Sequence, residues 1–102
     1  NPHKSVAREI MEYIENHYAE DIDLETVATH FGYNKNYFSS YFKDVIGMSF
    51  ITYLNTYRMD KVDLLKKNKK YKDKTAEELI KMCGFSTLEK YYRIRKANKN
   101  RD

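Results

Sequence analysis

The chain has 102 residues, of which 41% are hydrophobic and 33% are charged, and its formal net charge at pH 7 is +4. This length suits one compact domain with a modest core, and no apolar run is long enough to predict a transmembrane helix. The single cysteine, Cys83, excludes an intrachain disulfide, favours a reducing compartment and is interpreted as a core residue. The chain begins Asn-Pro rather than Met, which is typical of a piece of a longer protein.

Nothing in the sequence predicts an enzyme, a metal site or a cofactor. The three histidines have no Cys, Asp or Glu at metal-ligand spacing. No catalytic Ser/His/Asp grouping, glycine-rich phosphate loop or paired carboxylates are evident.

Charge is distributed unevenly along the chain. Residues 9–25 carry seven acids and no Lys or Arg, whereas residues 90–101 carry six Lys or Arg and no acid. An excess of positive charge favours an acidic partner. We therefore expect the partner surface in the middle and C-terminal parts of the chain.

The first half of the chain predicts three helices separated by short turns. Apolar residues at helical spacing predict a first helix over about 5–18. Asp23 is a good N-cap for a second helix that ends at Gly32. Asn34 is the predicted N-cap of a third helix that ends at Gly47.

The second half predicts a long fourth helix and then a repeat of the same pattern. Ser49 is the predicted cap of the long helix, whose inward face is predicted from its spacing to comprise Phe50, Tyr53, Leu54, Tyr57, Leu64 and Leu65. A basic connector, "KKNKKYKDK" at residues 66–74, follows. Thr75 begins a capping-box sequence for helix five, and Ser86 or Thr87 is the predicted cap of helix six, which runs to about 97.

The two halves repeat each other. Gly84-Phe85 repeats Gly32-Tyr33 at an interval of 52 residues, which becomes 53 if Tyr91 is matched to Phe38. A short helix, a glycine turn and a second helix form a helix-turn-helix unit. The sequence therefore predicts an all-α fold of two such units joined by a long helix.

The third helix has one apolar and one unusual polar face. The apolar stripe is predicted to be Tyr37, Phe38, Tyr41 and Phe42, extended by Val45 and Ile46, and the outward face to be Lys35, Asn36, Ser39, Ser40 and Lys43. Faces exposed only to water usually carry better helix formers than Ser or Asn. Short hydrogen-bonding side chains instead let a helix approach base edges in the major groove, with flanking lysines near phosphates.

Three alternatives remain open on the residues alone. The helix pair could be a helical hairpin whose serines lie on a solvated face by chance. The acidic segment 9–25 could make the chain a protein-interaction module, and the basic end could make it a nonspecific nucleic-acid binder. Salt-dependent, sequence-selective duplex binding distinguishes DNA recognition from these.

Over about residues 5–96 the chain resembles the C-terminal DNA-binding domain of AraC/XylS-type transcription regulators. The resemblance rests on "LETVATHFGYNKNYFSSYFKDVIGMSFITYL" and on the linker "RMDKVDLL", which has Val62 at the usual Ala. It implies a seven-helix fold whose long central helix directs two recognition helices, about 35–46 and 87–97, into adjacent major grooves. A linker of about 19 residues spans about 28 Å, close to the roughly 34 Å between successive grooves.

The resemblance also implies which residues contact DNA. By position, the base-reading residues are Asn36, Ser39 and Ser40 in the first unit and Leu88, Glu89, Tyr92 and Arg93 in the second, with Lys35, Lys43 and Lys96 completing the DNA-binding set. Arg93 is the strongest single candidate, because Arg reads guanine bidentately for about 1–3 kcal/mol of discrimination. A phosphate contact by Arg93 and a capping role for Glu89 stay open.

The second unit departs from the family pattern. Ile80 stands where the family usually has Ala, Arg95 where it has a core Phe, and the 66–74 loop is long. The closing segment of the family is absent from the sequence, so six to seven helices are expected. We expect the second recognition helix to be held less firmly and to contact phosphates more than bases.

We thus expect residues 1–102 to form a single DNA-binding domain, with a first unit at 5–47, a linker helix at 48–67 and a second unit at 75–97. The expected function is that of the output domain of a bacterial transcription regulator, binding tandem half-sites in double-stranded DNA as a monomer. The resemblance implies a cytoplasmic protein without a membrane partner, with RNA polymerase as a partner of the full-length regulator. It also implies an additional N-terminal sensory, receiver or dimerisation domain.

Overall fold

The computed structural model describes residues 2–99 and the side chains of residues 6–98. All regular elements of this part are helical: α1 Pro2–His17, α2 Leu24–His30, α3 Lys35–Ile46, α4 Phe50–Lys67, a short 3-10 helix Lys69–Tyr71, α5 Ala76–Met82 and α6 Leu88–Lys99. The all-α prediction is confirmed, with six α-helices within residues 2–99. The chain divides into two compact units, Asn1–Leu54 and Asn55–Asp102, and the boundary falls within α4.

In the first unit, α1 and α2 both pack against α3. The core of this unit is apolar and comprises Ala7, Ile10, Ile14, Ile22, Val27, Ala28, Phe38, Phe42, Phe50 and Leu54. The Phe42 ring lies 5.6 Å from the Phe50 ring and 5.6 Å from the Tyr53 ring, both edge to face. Such spacings are those that aromatic pairs prefer, so α3 rests on an aromatic cluster.

Local hydrogen bonds set the ends of the helices in the first unit. The Asp23 carboxylate accepts the Thr26 backbone N–H at 2.8 Å, and the Asn34 side chain accepts that of Asn36 at 2.8 Å. Both predicted caps are thereby confirmed. Gly32 has φ +76°, a left-handed conformation that glycine adopts without strain, and it separates α2 from α3.

The second unit repeats this local design. α5 packs against α6, and the core comprises Met59, Val62, Leu79, Ile80, Cys83, Phe85 and Tyr91. The Thr75 hydroxyl accepts the Glu78 backbone N–H at 3.1 Å, and the Glu78 carboxylate accepts the Thr75 N–H at 3.0 Å, so the predicted capping box is confirmed. Of the two predicted caps for α6, Thr87 is the one that accepts the Lys90 N–H, at 3.1 Å.

The predicted inward face of α4 is wrong at one position. Leu64 is 59% exposed, whereas Arg58, Met59 and Val62 are buried. The buried stripe follows steps of four residues from Phe50 through Arg58 to Val62, and each such step rotates by about 40° around the helix. By the end of α4 the stripe has therefore moved away from Leu64.

Candidate nucleic-acid interface

The outward face of α3 presents polar side chains opposite its buried phenylalanines. Asn36, Ser40 and Lys43 are exposed, and at about 100° per residue they share an arc of about 60°. Phe38 and Phe42 are fully buried on the other side of the helix. Asn36 and Ser40 are therefore available to a partner, while the helix behind them is fixed by packing.

Two of the predicted residues of α3 lie away from the centre of this face. Lys35 is exposed in the first turn, and Ser39 is half-buried about 100° from Ser40. The structure thus brings Asn36, Ser40 and Lys43 together and leaves Ser39 at the margin of the face.

The predicted apolar stripe of α3 is wrong at two positions. Tyr37 is 54% exposed and Val45 is 45% exposed. Each residue turns the helix by about 100°, so Tyr37 lies about 100° from the buried Phe38. The three residues from Tyr37 to Ser40 bring Tyr37 to within about 60° of Ser40, on the outward side. Val45 lies in the last turn of α3, beyond the buried pair Phe38 and Phe42.

Tyr37 belongs to a stack of three tyrosines. Its ring lies 6.3 Å from that of Tyr41 with an interplanar angle of 10°, and 5.4 Å from that of Tyr33. Burial, followed by the neighbouring Tyr33 and Tyr37, raises the pKa of Tyr41, so its hydroxyl stays protonated at neutral pH. The stack restricts the Tyr37 side chain beside the outward face of α3.

Sequence reasoning missed two residues at this face. Tyr37 and Asp44 both lie within about 60° of Ser40 and are exposed. A helical-wheel count taken from Phe38 and Phe42 would have found them. The run of adjacent aromatic residues in the sequence hid Tyr37, and Asp44 adds a negative charge to an otherwise neutral or basic face.

The second unit presents its outward residues in the same register. Glu89, Arg93 and Lys96 of α6 are exposed and follow Asn36, Ser40 and Lys43 by 53 residues. Tyr92, also exposed, lies beside them, and Leu88 is half-buried at the start of the helix. Thr87 is the residue that caps α6, and Glu89 lies in the first turn of that helix.

Arg95 lies outside the core, although it corresponds to Phe42 of the first unit. Its side chain is 44% exposed, and its guanidinium lies 3.1 Å from the Asp63 carboxylate of α4. The same guanidinium lies 5.9 Å from the centre of the Tyr91 ring. An ion pair and a ring contact therefore stand where the first unit has a buried phenyl ring.

Among the side chains of residues 6–98, no three His, Cys, Asp or Glu side chains are grouped so that they could hold a metal ion. Within residues 2–99, no helix combines the length and apolar character needed to cross a bilayer.

A family model described as a helix-turn-helix domain matches residues 27–100. An uncharacterised HTH-type transcriptional regulator of Staphylococcus aureus (strain COL) is 30% identical over 87 residues, which cover 83% of this chain and 11% of that protein. The regulatory protein PocR of Salmonella typhimurium (strain LT2) is 38% identical over 58 residues, or 57% of this chain and 19% of PocR. The chain thus spans about a ninth of the length of the staphylococcal relative.

Two solved structures share the fold. The C-terminal domain of AraT, a response regulator from Geobacillus stearothermophilus, matches with a TM-score of 0.78 and 28% identity, covering 90% of this chain and 74% of that one. A protein of unknown function from Listeria innocua matches with a TM-score of 0.78 and 23% identity, covering 91% and 86%. The second likeness concerns the fold alone.

Proposed function

Because the chain belongs to the AraC-type helix-turn-helix family of DNA-binding transcription regulators, we propose that it recognises a specific duplex sequence through α3 and α6. Each helix enters one of two adjacent major grooves at one half-site of a tandem pair, and α3 contributes more of the base reading than α6. The chain binds as a monomer and forms a single DNA-binding domain.

The outward face of α3 is the observation that carries this proposal. Short polar side chains at Asn36 and Ser40 are exposed on a helix whose opposite side is fully buried at Phe38 and Phe42. The Asn36 amide suits the N6 and N7 edge of adenine, and the Ser40 hydroxyl can donate to or accept from a base. Lys35 and Lys43 contact flanking phosphates, and Ser39 adds a contact from the margin.

In the second unit, α6 offers longer and charged side chains. Arg93 contacts mainly a phosphate, although its guanidinium also suits the O6 and N7 acceptors of guanine, and Glu89 suits the amino group of cytosine. Leu88 and Tyr92 contact base edges, and Lys96 contacts a phosphate. This proposal is supported by the shared register of Glu89, Arg93 and Lys96 with the outward residues of α3.

We propose that the chain is the output part of a longer cytoplasmic regulator. It spans a small part of its staphylococcal relative, and its structural neighbour AraT is a response regulator. An additional N-terminal sensory, receiver or dimerisation domain supplies the signal, and RNA polymerase is the partner at the promoter.

The test is selection of bound duplexes from a randomised library at two salt concentrations, with Ser40→Glu as the disrupting variant. Wild type should select a sequence and lose affinity steeply with salt, because Lys and Arg displace condensed counterions. Ser40→Glu should lose sequence-specific binding and keep its helical content, since the side chain is exposed and the new carboxylate faces phosphates.

Asn16→Glu is the matched control, because it makes the same charge change at an exposed position of α1. It should bind like wild type. If wild type bound all duplexes equally, it would be a nonspecific nucleic-acid binder. Affinity that is flat with salt would contradict a DNA function and favour a protein-interaction module.

A further inference from the structure

The segment that runs from the last turn of α4 toward α5 is the most densely charged part of the described chain. Residues 66–74 contain six lysines and a single acid, Asp73. All six lysines are exposed: Lys66, Lys67, Lys69, Lys70, Lys72 and Lys74. The family resemblance assigns no role to this segment, which we call the lysine connector.

Hydrogen bonds hold the lysine connector in a defined turn. The Asn68 side chain accepts the Lys70 N–H at 2.9 Å, and the Asn68 carbonyl accepts the Tyr71 N–H at 3.0 Å. The Lys69 carbonyl then accepts the Lys72 N–H at 3.2 Å, and that of Tyr71 accepts the Lys74 N–H at 3.0 Å. The ammonium groups therefore project from an ordered backbone, which lowers the entropy cost of engaging several of them at once.

Few of these charges are neutralised within the protein. Among the described side chains, the only carboxylate within 4.0 Å of a connector lysine is that of Glu78, whose oxygen lies 3.8 Å from the Lys74 ammonium. Lys66 lies over the Tyr91 ring and Lys70 over the Tyr71 ring, at 5.9 and 5.6 Å from the ring centres. Like charges on a short segment repel one another, and an array of anions relieves that repulsion.

The position of the connector favours phosphates of the bound duplex as those anions. Lys66 lies over Tyr91 of α6, and Asp63 of α4 is bound to Arg95 of α6. The connector thus begins beside the helix to which we assign the second half-site, on the side of that helix turned toward α4. Its lysines are point charges suited to phosphate, and the side-chain oxygen of Asn68 is already engaged by the Lys70 N–H, so the segment suits phosphates better than bases.

We propose that the lysine connector is a phosphate-binding surface that extends the DNA footprint beyond the second half-site. This inference rests on the proposed function of the domain. The lysine connector adds affinity and salt dependence without changing which bases are preferred. Each phosphate contact contributes about 0.9 to the slope of log K against log salt concentration.

The test replaces Lys67, Lys69, Lys70 and Lys72 together by Gln, leaving the lysines that contact Tyr91 and Glu78. Affinity for the selected site is measured over a range of salt concentrations. The slope should fall by about 2 to 4 units, corresponding to two to four lost phosphate contacts. The preferred sequence and the melting temperature should match those of wild type.

Two controls distinguish the effect of positive charge in the lysine connector from the effect of positive charge elsewhere on the protein. The same four positions changed to Arg should retain the wild-type slope. Single variants form a matched pair: Lys69→Gln should lower the slope by about 0.9, and Lys81→Gln, which removes a lysine paired with Glu77 on α5, should not. Duplexes that end at the half-sites should bind wild type more weakly than duplexes with about ten extra base pairs at each end, and the quadruple Gln variant should not distinguish them.

An unchanged slope together with equal binding of short and long duplexes would overturn the proposal. If the quadruple variant still selects the wild-type sequence, the proposed function of α3 and α6 stands even then. A changed sequence preference would also overturn it, because the connector would then take part in base reading. Loss of sequence selection by wild type itself would instead contradict the proposed function.

Discussion

In the first unit α3 is held by two fully buried phenylalanines, whereas in the second unit α6 is held by one fully buried tyrosine. The position that matches Phe42 is Arg95, whose half-exposed guanidinium binds Asp63 at the surface. The capped helices and glycine turns are nevertheless alike in both units. The two units therefore share their local turn chemistry and differ in how the second helix is docked. Base contacts need fixed geometry, and phosphate contacts tolerate error.

The largest expected difference between the units concerns stability. Phe42→Ala should lower the free energy of unfolding by about 3–5 kcal/mol, because it empties space between Phe38, Phe50 and Tyr53. Arg95→Ala should cost about 1 kcal/mol or less, because its ion pair with Asp63 is exposed to solvent. Urea unfolding of both variants measures this. Similar losses in the two would show that α6 depends on Arg95 as strongly as α3 depends on Phe42.

The second expected difference concerns sequence preference. Changing Asn36, Ser39 and Ser40 together to Ala should alter which sequence is selected, because each lost base contact is worth about 1–3 kcal/mol of discrimination. Arg93→Ala should mainly lower affinity for all sequences and reduce the salt slope by about one unit. The measurement is a binding profile of each variant over a randomised site at two salt concentrations.

The Arg93 variant also supplies the result that would reverse the comparison. If it relaxes preference at one base pair and leaves the others unchanged, α6 reads bases as α3 does. The two units would then be equal readers despite their different cores.

A third, smaller difference is expected in local opening. Backbone amides of α6 should exchange hydrogen about tenfold faster than those of α3, if their docking differs by about 1.4 kcal/mol. Cys83 offers a second probe of the second unit, because its side chain is buried and burial raises the pKa of its thiol to about 11. Its labelling rate at neutral pH should follow the exchange of α5 and α6. Equal protection of α3 and α6 would contradict the weaker docking of α6.

Most helix ends were predictable because their signals are local. Asp23, Asn34 and Thr75 form hydrogen bonds with residues two or three positions away, so the short-range sequence specifies them. The face of α4 was not predictable in the same way. Which side of a long helix is covered depends on distant neighbours, and this explains why Leu64 is exposed and Arg58 is buried.

In the candidate site, too, features set by local sequence were predictable and features set by distant residues were not. The exposure of Asn36, Ser40 and Arg93 follows from helical period alone. The surface position of Arg95 depends on Asp63, 32 residues away, and no local pattern indicates that pairing. The half-buried state of Ser39 likewise depends on packing. Which of these residues contact DNA stays a prediction.

The smallest expected effect concerns a feature that the two units share, the capping boxes at the starts of α2 and α5. The pKa of the Asp23 carboxyl is lowered first by its hydrogen bond with the backbone of Thr26 and then by that with the Thr26 side chain. The pKa of the Glu78 carboxyl is lowered in the same way by the backbone and the side chain of Thr75. A carboxyl whose folded pKa is lowered stabilises the fold above its unfolded pKa, and this contribution is lost as pH falls through the folded value. Asp23→Ser and Glu78→Gln each keep a hydrogen-bond acceptor that does not titrate in this range.

Both variants should therefore lose less stability than wild type when the pH is lowered from about 5 to about 2. Thermal unfolding at several pH values measures this, and the difference from wild type removes the contribution of the other acids. Each carboxylate accepts one backbone N–H at an exposed position, Asp23 as the N-cap of α2 and Glu78 from the third position of α5, so the two effects should be small and alike. A variant whose acid dependence matches wild type would show that its carboxylate does not stabilise the helix start. A much larger effect at Asp23 than at Glu78 would extend the inequality of the units from their cores to their caps.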